Sequence, residues 1–424
     1  MLIEFSVKNF LSFKDLVSLS MVATNDNTLE ENTFKFDEKL NLLKSTVIYG
    51  ANASGKSNLT KAIGFVKRLM INSSKNTQIN EKIDIDVFRL NKSTIKKPAF
   101  FEMIFFINKN KYRYGFEVDK NKIHNEWLFH SPNGKEAKLF TRNFQEYNIS
   151  NNFKEGKKLI EVTRENSLFL SVVAQFNGEI STKIISSLKN LNILNASQGG
   201  DYGGFSINVL NEDKEFKTKI INLLKNVDLG IEDIIVEKTK AKAESIPPFF
   251  AEEFRDILTN SEMLSIKTIH KVYDNSGKET GNVEFDFYNS ESEGTKKYFW
   301  LIGPILDTLK MGKTLIIDEL QSNMHPLLTK SIVKLFNSDV TNKNNAQLIF
   351  VIHDTNLLNN KVFRRDQIWF TEKNNFGESI LYSLSDVKHT RKDSTFSKNY
   401  LLGKYGGVPN INKNYENWEL INYE

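Results

Sequence analysis

The stretch that decides the fold is Gly50-Ala-Asn-Ala-Ser-Gly-Lys-Ser57, which follows the β-rich run Ser45–Tyr49. It matches the Walker A pattern, and apolar residues at helical spacing follow it over residues 57–70. In this strand–loop–helix unit, backbone N–H groups and a helix N-terminus surround phosphate oxygens. The flanking elements disfavour the alternative, a chance glycine loop that caps a helix.

The residue types in this loop predict ATP and Mg²⁺ as cofactors. Lys56 would reach the β and γ oxygens of ATP and so take part in catalysis, and the Ser57 hydroxyl would bind Mg²⁺. The residues predicted to contact the nucleotide here are Gly50, Asn52, Ser54, Gly55, Lys56, Ser57 and Asn58.

A second motif is the apolar strand Thr314-Leu-Ile-Ile-Asp318, which is followed directly by Glu319. We expect Asp318 to bind Mg²⁺ and Glu319 to act as the general base toward the attacking water. Alone, this pattern would also suit a strand that runs into an acidic helix cap. Its position after a Walker A motif favours the catalytic interpretation.

A third motif, Glu291-Ser-Glu-Gly-Thr295, precedes the helical run KKYFWLIGPIL. Ser292, Gly294 and Thr295 would offer hydroxyls, backbone N–H groups and the positive end of a helix to a γ-phosphate. The alternative is a plain helix cap with Ser292 at the N-cap. The order of the three motifs favours a nucleotide-contacting role.

Two single residues fit the same plan. His353 follows the strand QLIFVI, where a histidine could sense the γ-phosphate during catalysis, although a lone histidine is more often structural. Gln175 lies in LFLSVVAQFNG, where a glutamine could touch Mg²⁺. The alternative for Gln175, a polar residue that ends a buried strand, stays open.

The rest of the chain predicts two lobes with an insertion. Leu2–Val7 and the runs PAFFEMIFFI, KYRYGFEV and IHNEWLF are predicted strands, and the last three form a small antiparallel sheet. Segments such as KIISSLKNLNIL and EFKTKIINLLKNV predict a helical arm. We therefore expect an ATPase lobe over residues 1–177 that holds Walker A and the small sheet. An arm over 178–260 follows, and 261–424 carry the signature helix, Walker B and the switch histidine.

Composition narrows the class of protein. The 424 residues are 40% apolar and contain no cysteine, which excludes thiolate chemistry. Only six histidines remain as nitrogen ligands, so we expect no zinc site. No apolar run is long enough to cross a bilayer and the N-terminus does not resemble a signal peptide, so we expect no membrane association and a cytoplasmic location. The net charge of +5 neither requires nor excludes nucleic acid.

Together these motifs resemble the ABC-type ATPases that include RecF, the SMC proteins and the double-strand-break repair ATPases. The segment Lys8-Asn-Phe-Leu-Ser-Phe13 is similar to the KNF-x-SF segment of those heads. The runs VFRL, DELQSNMHP, VIHDTNLL and FRRDQIWF look closer still to stand-alone bacterial AAA/ABC-type ATPases of abortive-infection and phage-defence loci. That resemblance covers nearly the whole chain.

The resemblance implies an α/β ABC-type P-loop head, with a mixed sheet, helices on both faces, a small antiparallel β subdomain and a short helical arm. It also implies a head-to-tail homodimer or higher homo-oligomer in which Ser292, Gly294 and Thr295 act on the nucleotide of the opposite copy. Gln175 takes the glutamine-loop position and His353 the switch position. Glu291, Glu293 and Thr295 depart from the usual signature, and the loop after Glu319 lacks the usual aspartate. Such proteins hold an effector, often a nuclease or toxin encoded beside them, in antiviral defence.

Several functions remain to be compared. The main expectation is an ATPase switch that controls a separate effector. The alternative is a RecF/SMC-like DNA-binding ATPase in repair or chromosome maintenance, but residues 212–242 contain seven lysines and seven acids, which is not a basic track. A transporter ATPase does not suit the strand-rich insertion and late signature. Outside the ATP site the sequence shows no cluster of acidic residues and histidines, so we do not expect a self-contained nuclease.

Overall fold

The computed structural model describes residues 1–75, 78, 80–108, 110–132, 134–196, 200–227, 229–240, 262–388 and 395–409. Within these ranges the chain forms eighteen strands and nine α-helices. In chain order, the strands are β1 Leu2–Lys8, β2 Val17–Ser20, β3 Thr33–Lys35, β4 Asn41–Leu43, β5 Ser45–Gly50, β6 Ala99–Ile107, β7 Asn110–Val118, β8 Ile123–Ser131, β9 Ala137–Asn143, β10 Glu146–Ile149, β11 Leu191–Asn195, β12 Asp233–Lys240, β13 Glu262–Tyr273, β14 Glu279–Asp286, β15 Thr314–Asp318, β16 Gln347–Val351, β17 Ile368–Lys373 and β18 Ser379–Ser383.

Nine α-helices connect or flank these strands in the described ranges. They are α1 Lys56–Asn72, α2 Phe169–Gln175, α3 Glu179–Ser187, α4 Gly200–Glu212, α5 Lys214–Asn226, α6 Phe287–Ser290, α7 Glu293–Met311, α8 Pro326–Asn337 and α9 Phe396–Leu401. The predicted strands at the N-terminus, before Walker A and in the small sheet are confirmed, as is the helix after Walker A.

A six-stranded sheet in the order β11-β15-β16-β5-β17-β18 forms the centre of the molecule. Its first five strands are parallel, and β18 joins antiparallel at one edge. The strands that precede Walker A and end in Walker B are therefore separated by β16 alone. Because the carboxyl ends of parallel strands lie at one edge of a sheet, the loops that follow them meet there.

Two hydrophobic clusters cover the faces of this sheet. On one face, Ile48, Ile316 and Ile349 pack with α1 and the antiparallel sheet. On the other face, the alternate residues Leu315 and Phe350 of the same strands pack with α7 and α8. Both faces of a parallel strand are buried in this way, which explains why these strands are apolar along their whole length. The predicted α/β fold, a mixed sheet with helices on both faces, is confirmed.

The second large sheet is antiparallel, with seven strands in the order β10-β9-β8-β7-β6-β1-β2. A buried ion pair joins two strands of this sheet: Glu126 on β8 faces Arg142 on β9 at 3.5 Å, and both side chains are fully buried. Glu126 also accepts hydrogen bonds from the backbone N–H groups of Phe169 and Leu170, at 2.7 and 2.9 Å. One carboxylate thus caps the N-terminus of α2 and fastens this helix to the sheet.

The range 178–260 differs from the predicted helical arm. The segment KIISSLKNLNIL begins in α3, but its last residues form β11, the edge strand of the central sheet, so the prediction that it is helical throughout was wrong. Apolar spacing in a run of this length suits a helix or a buried strand, and pairing with β15 decides between them. The helix predicted over EFKTKIINLLKNV is confirmed as α5.

A three-stranded sheet, β12-β13-β14, follows α5 and leads into the signature region. Residues 274–278 join β13 and β14 in an antiparallel hairpin. The part of the predicted arm over 241–260, with its two prolines, lies outside the described residues. The domain boundaries at 177 and 260 stay predictions. Across the described ranges, none of the helices has the length and apolarity to traverse a bilayer.

Candidate functional site

The candidate site is built on the carboxyl ends of three adjacent strands, β5, β16 and β15. Walker A follows β5, His353 lies just past β16, and Asp318 ends β15. Charges at these places influence one another, because the pKa values of Lys56 and His353 both respond to the carboxylates of Asp318 and Glu319. The structure therefore brings together four residues that are separated by up to about three hundred positions in sequence.

Backbone conformation shapes the Walker A loop. Gly55, at the N-cap of α1, has φ +116°, in a region that L side chains rarely adopt, and a Cβ there would lie 2.6 Å from Ser379 Oγ. At the start of the loop a Cβ on Gly50 would lie 2.4 Å from the Thr371 carbonyl oxygen. Both positions therefore require glycine for steric reasons, and this explains why the motif has a glycine at each of them.

Lys56 lies within this loop and is almost fully buried. Its ammonium donates hydrogen bonds to the carbonyls of Gly50 and Ala51, both at 2.8 Å. Burial lowers the pKa of Lys56 to about 8, while the nearby charges of Asp318 and Glu319 raise it. The side chain is thus held as a cation in a place with little water, where its attraction for an anion is strongest.

The other polar residues of the loop are bonded to the surrounding protein. Ser54 Oγ lies 2.6 Å from Thr371 Oγ1, and the Asn58 amide donates to Ser12 Oγ at 2.8 Å. Asn52 is exposed. These contacts place Ser54 and Asn58 in the wall that supports the loop, and their predicted contacts to nucleotide stay predictions.

Asp318 fits the predicted role in binding a metal ion. The Ser57 and Thr60 hydroxyls hydrogen-bond its carboxylate, the latter at 3.4 Å to Oδ2, and burial raises its pKa. Its other oxygen, Oδ1, is buried without a hydrogen-bond partner among the described residues. A buried carboxylate oxygen next to a serine hydroxyl is suited to Mg²⁺, which takes few protein ligands beside water and phosphate. Over the same ranges no group of three acidic or histidine side chains offers a fuller metal cage.

Glu319 is partly exposed and follows Asp318 in a strained backbone conformation, with φ +57°. A non-glycine residue held in this left-handed region costs about 1–3 kcal/mol and persists only when the surroundings impose it. Leu320 donates its backbone N–H to the Val351 carbonyl at 3.2 Å, and Ser322 N–H donates to the Glu319 carbonyl at 3.1 Å. The charge of Glu319 raises the pKa values of both Lys56 and His353, so its carboxylate acts on the same site.

His353 is exposed at the same edge. Its pKa is lowered, first by partial burial and then by the positive charge of Lys56, whereas Glu319 and Asp318 raise it. The imidazole is therefore mostly neutral at pH 7 and able to donate one hydrogen bond and accept another.

The signature motif begins α7. Ser292 is the N-cap, and its Oγ accepts from the Thr295 N–H at 3.1 Å and lies 2.8 Å from Thr295 Oγ1. A Cβ on Gly294 would lie 2.7 Å from the Asn323 carbonyl oxygen, so the helix start touches the loop that follows Glu319. In the described residues the side chains of this motif form no hydrogen bond to the Walker A loop of the same chain.

Residues 45–359 match the family described as "AAA domain, putative AbiEii toxin, Type IV TA system". The chain belongs to this family. The match spans both Walker motifs, the signature and His353, and it confirms the ABC-type AAA ATPase class expected from the sequence.

Two solved structures are similar to this member of the AAA-domain family. The SMC head domain from Thermotoga maritima aligns with a TM-score of 0.38 and 12% identity, over 90% of this chain and 98% of that one. The recombination mediator protein RecF bound to ATP aligns with a TM-score of 0.30 and 15% identity, over 83% and 93%. Both likenesses are too distant to inform on activity. No curated protein matches the sequence.

The structure does not bring every predicted residue of this AAA-domain protein to the site. Gln175 is exposed at the end of α2, a helix rather than the strand considered for it. Leu168, just before α2, donates its N–H to the Ser73 hydroxyl, and Ser171 donates to the Met70 carbonyl, both at the end of α1 opposite Walker A. No hydrogen bond in the described ranges links Gln175 to the Walker A loop, and its role at Mg²⁺ stays a prediction.

Two contacts of this family member were not foreseen. The Glu291 carboxylate accepts hydrogen bonds from Thr268 Oγ1 at 2.5 Å and His270 Nε2 at 2.8 Å, both on β13. This explains why a glutamate occupies a signature position that is commonly apolar. The second is Lys297, whose ammonium contacts the loop after Glu319. Neither contact could be predicted from a local sequence pattern, because each joins two segments that are distant in the chain.

Proposed function

We propose that this chain is an Mg²⁺-dependent ATPase switch, that ATP closes two copies head to tail, and that closure controls an effector protein in antiphage defence. The observation that carries the proposal is the meeting of Lys56, Asp318, Glu319 and His353 at one sheet edge, where a buried carboxylate oxygen of Asp318 has no hydrogen-bond partner among the described residues. The arrangement supplies each group that phosphoryl transfer to water needs.

Each side chain then has its own role in ATP hydrolysis. Lys56 holds the terminal phosphates, and Ser57 and Asp318 would hold Mg²⁺, which supplies positive charge to the phosphate oxygens. Glu319 accepts a proton from a water whose oxygen attacks the γ-phosphorus as the bond to the β-phosphate oxygen breaks, so ADP and phosphate leave. Neutral His353 orients by hydrogen bonding without adding charge.

The head-to-tail dimer is supported by the geometry of the signature. Ser292, Gly294 and Thr295 lie at the positive end of α7, where an anion is favoured. Among the described residues, these three contact one another and Asn323. A second copy could place its γ-phosphate against this helix start, and the positive end of α7 would then complete the partner's site.

Control of an effector is supported by the link between the signature and β13. Closure on ATP acts on the signature loop, and Glu291 ties this loop to Thr268 and His270 of the three-stranded sheet. A shape change at the nucleotide therefore has a direct route to a distant surface. The family's own description names a putative toxin of a toxin–antitoxin system, and a member of a two-component system of this kind supports a functional partner encoded beside it.

The first experiment measures ATP turnover and mass in solution. Wild type should hydrolyse ATP only with Mg²⁺ and should approach the dimer mass by light scattering when ATP is present. Lys56→Ala should lose nucleotide binding or turnover, because the cation at the terminal phosphates is gone. Turnover by Lys56→Ala at the wild-type rate would contradict the site assignment.

The second experiment tests the shared site by mixing variants. Lys56→Ala and Gly294→Asp each damage one half of a composite site, so a hybrid dimer holds one intact site and one that is doubly damaged. Some turnover should return on mixing. No recovery, with hybrids confirmed by differently tagged chains, would point to hydrolysis within a single chain.

The third experiment addresses the effector. The product of the neighbouring gene should co-purify with wild type in an ATP-dependent way and should lose that dependence with Lys56→Ala. ATP turnover that rises severalfold on adding duplex DNA, with no change in effector recovery, would favour the RecF/SMC-like DNA-binding alternative instead.

A further inference from the structure

Lys297 is a buried lysine three residues beyond Gly294 on the signature helix α7, and it is 4% exposed. Its ammonium donates to the Ser322 carbonyl at 2.5 Å and to the Glu319 carbonyl at 3.4 Å. Burial lowers the pKa of Lys297 to about 8, and the charge of Glu319 raises it. A cation kept in a place that disfavours charge needs partners that compensate, and the two carbonyls are those partners.

These two carbonyls begin and end the turn that follows the proposed base. Glu319 has a left-handed backbone, and the turn from Glu319 to Ser322 is closed by the bond from Ser322 N–H to the Glu319 carbonyl at 3.1 Å. Lys297 is the side chain that joins both ends of this turn to α7. Close contact between Gly294 and the Asn323 carbonyl leaves no room for a Cβ and keeps the helix start against the same loop.

The neighbouring lysine provides a comparison. Lys296 is also largely buried, yet its ammonium pairs with Glu293, which is mostly exposed on the surface of α7. Of the two lysines that open this helix, only Lys297 is bonded to the backbone next to the base.

We propose that Lys297 is a positioning residue for ATP hydrolysis. It holds the turn that carries Glu319, so that the position of the signature helix sets the position of the base in the same chain. The inference rests on the proposed function and names a part of the same site. It also gives the signature helix two roles: its N-terminus faces the partner's nucleotide, and its first turn sets the carboxylate that acts on its own nucleotide.

The experiment compares Lys297→Met with Lys297→Arg and with a matched control, Lys67→Met. Lys67 is a partly buried lysine on α1 that also donates to a backbone carbonyl, that of Leu191 at 2.6 Å, and burial lowers its pKa too. Each protein is assayed for kcat and KM by phosphate release, for ATP affinity with a fluorescent analogue, and for thermal unfolding.

Lys297→Met should lower kcat by about 10²-fold, the cost of a small displacement of a catalytic group, while ATP affinity stays within about threefold of wild type. Lys297→Arg should recover much of the loss, because it keeps a cation in reach of both carbonyls. Lys67→Met should retain the wild-type kcat. In the background of Glu319→Gln, Lys297→Met should cause no further loss, because two residues that act as a unit are not additive.

A kcat for Lys297→Met within about threefold of wild type, or an equal loss in the Glu319→Gln background, would overturn the positioning role. If Lys297→Met unfolds at the assay temperature, Lys297→Gln, whose side chain is shorter and uncharged, takes its place under the same criteria. A wild type that does not hydrolyse ATP overturns the proposed function and this inference with it. A wild type that does, beside a fully active Lys297 variant, overturns this inference alone.

Discussion

Replacing Glu319 with glutamine removes the proposed base and keeps the length of the side chain. Glutamine places no new demand on the backbone, because its side chain branches no nearer to the backbone than that of glutamate and the left-handed conformation costs both a similar amount. The single described hydrogen bond to the carboxylate comes from Ser322 Oγ at 3.3 Å, and an amide oxygen accepts it equally well. The fold should therefore tolerate the change.

The expected effect is on the chemical step. A positioned general base contributes about 10²–10⁴ in rate, so kcat should fall by that factor, which corresponds to about 3–5 kcal/mol of activation free energy. ATP affinity should stay the same or rise, because the variant removes a negative charge that acts on Lys56 and repels the phosphates. With binding intact and hydrolysis slow, the ATP-bound dimer should accumulate.

The assay pairs single-turnover hydrolysis with light scattering in the presence of ATP and Mg²⁺. A matched control is Glu179→Gln, at an exposed glutamate that pairs with Lys183 on α3 and should behave as wild type. A Glu319→Gln protein that hydrolyses ATP within about threefold of the wild-type rate would refute Glu319 as the base. One that binds ATP but remains at its apo mass would refute closure by ATP.

Three further predictions concern stability. Glu126→Ala should lower the free energy of unfolding in urea by about 3–5 kcal/mol, because it removes the carboxylate that faces the buried Arg142 charge; a loss under about 1 kcal/mol would contradict this. Gly294→Ala should cost about 1–3 kcal/mol through the clash with the Asn323 carbonyl, and unchanged urea unfolding would show that the loop yields freely. The pKa of Lys297 is about 8 in the folded chain against 10.5 ordinarily, so between these values the unfolded chain holds a proton that the folded chain lacks. The stability of wild type relative to Lys297→Met should therefore rise with pH above 8, by up to about 1.4 kcal/mol per unit, and a flat difference would contradict the shift.

Local patterns were sufficient for the elements that carry the Walker motifs. The strand before Gly50, the helix after it and the strand that ends at Asp318 each have a periodicity and a boundary residue of their own. For β11 the same reasoning failed, because a short apolar run next to a helix continues the helical spacing. Only pairing with β15 makes residues 191–195 a strand, and pairing depends on a segment more than a hundred residues away.

The sequence by itself determined the P-loop class of this protein, because the Walker A glycines, the lysine and the strand and helix beside them form one pattern within a short stretch of chain. Tertiary structure decided which groups act together. It set β16 between β15 and β5, so that Asp318, His353 and Lys56 share one edge, and it left Gln175 at the exposed end of α2. It also gave Glu291 its partners on β13 and Lys297 its carbonyls. Such contacts depend on how distant segments pack, and a linear pattern holds no record of that packing.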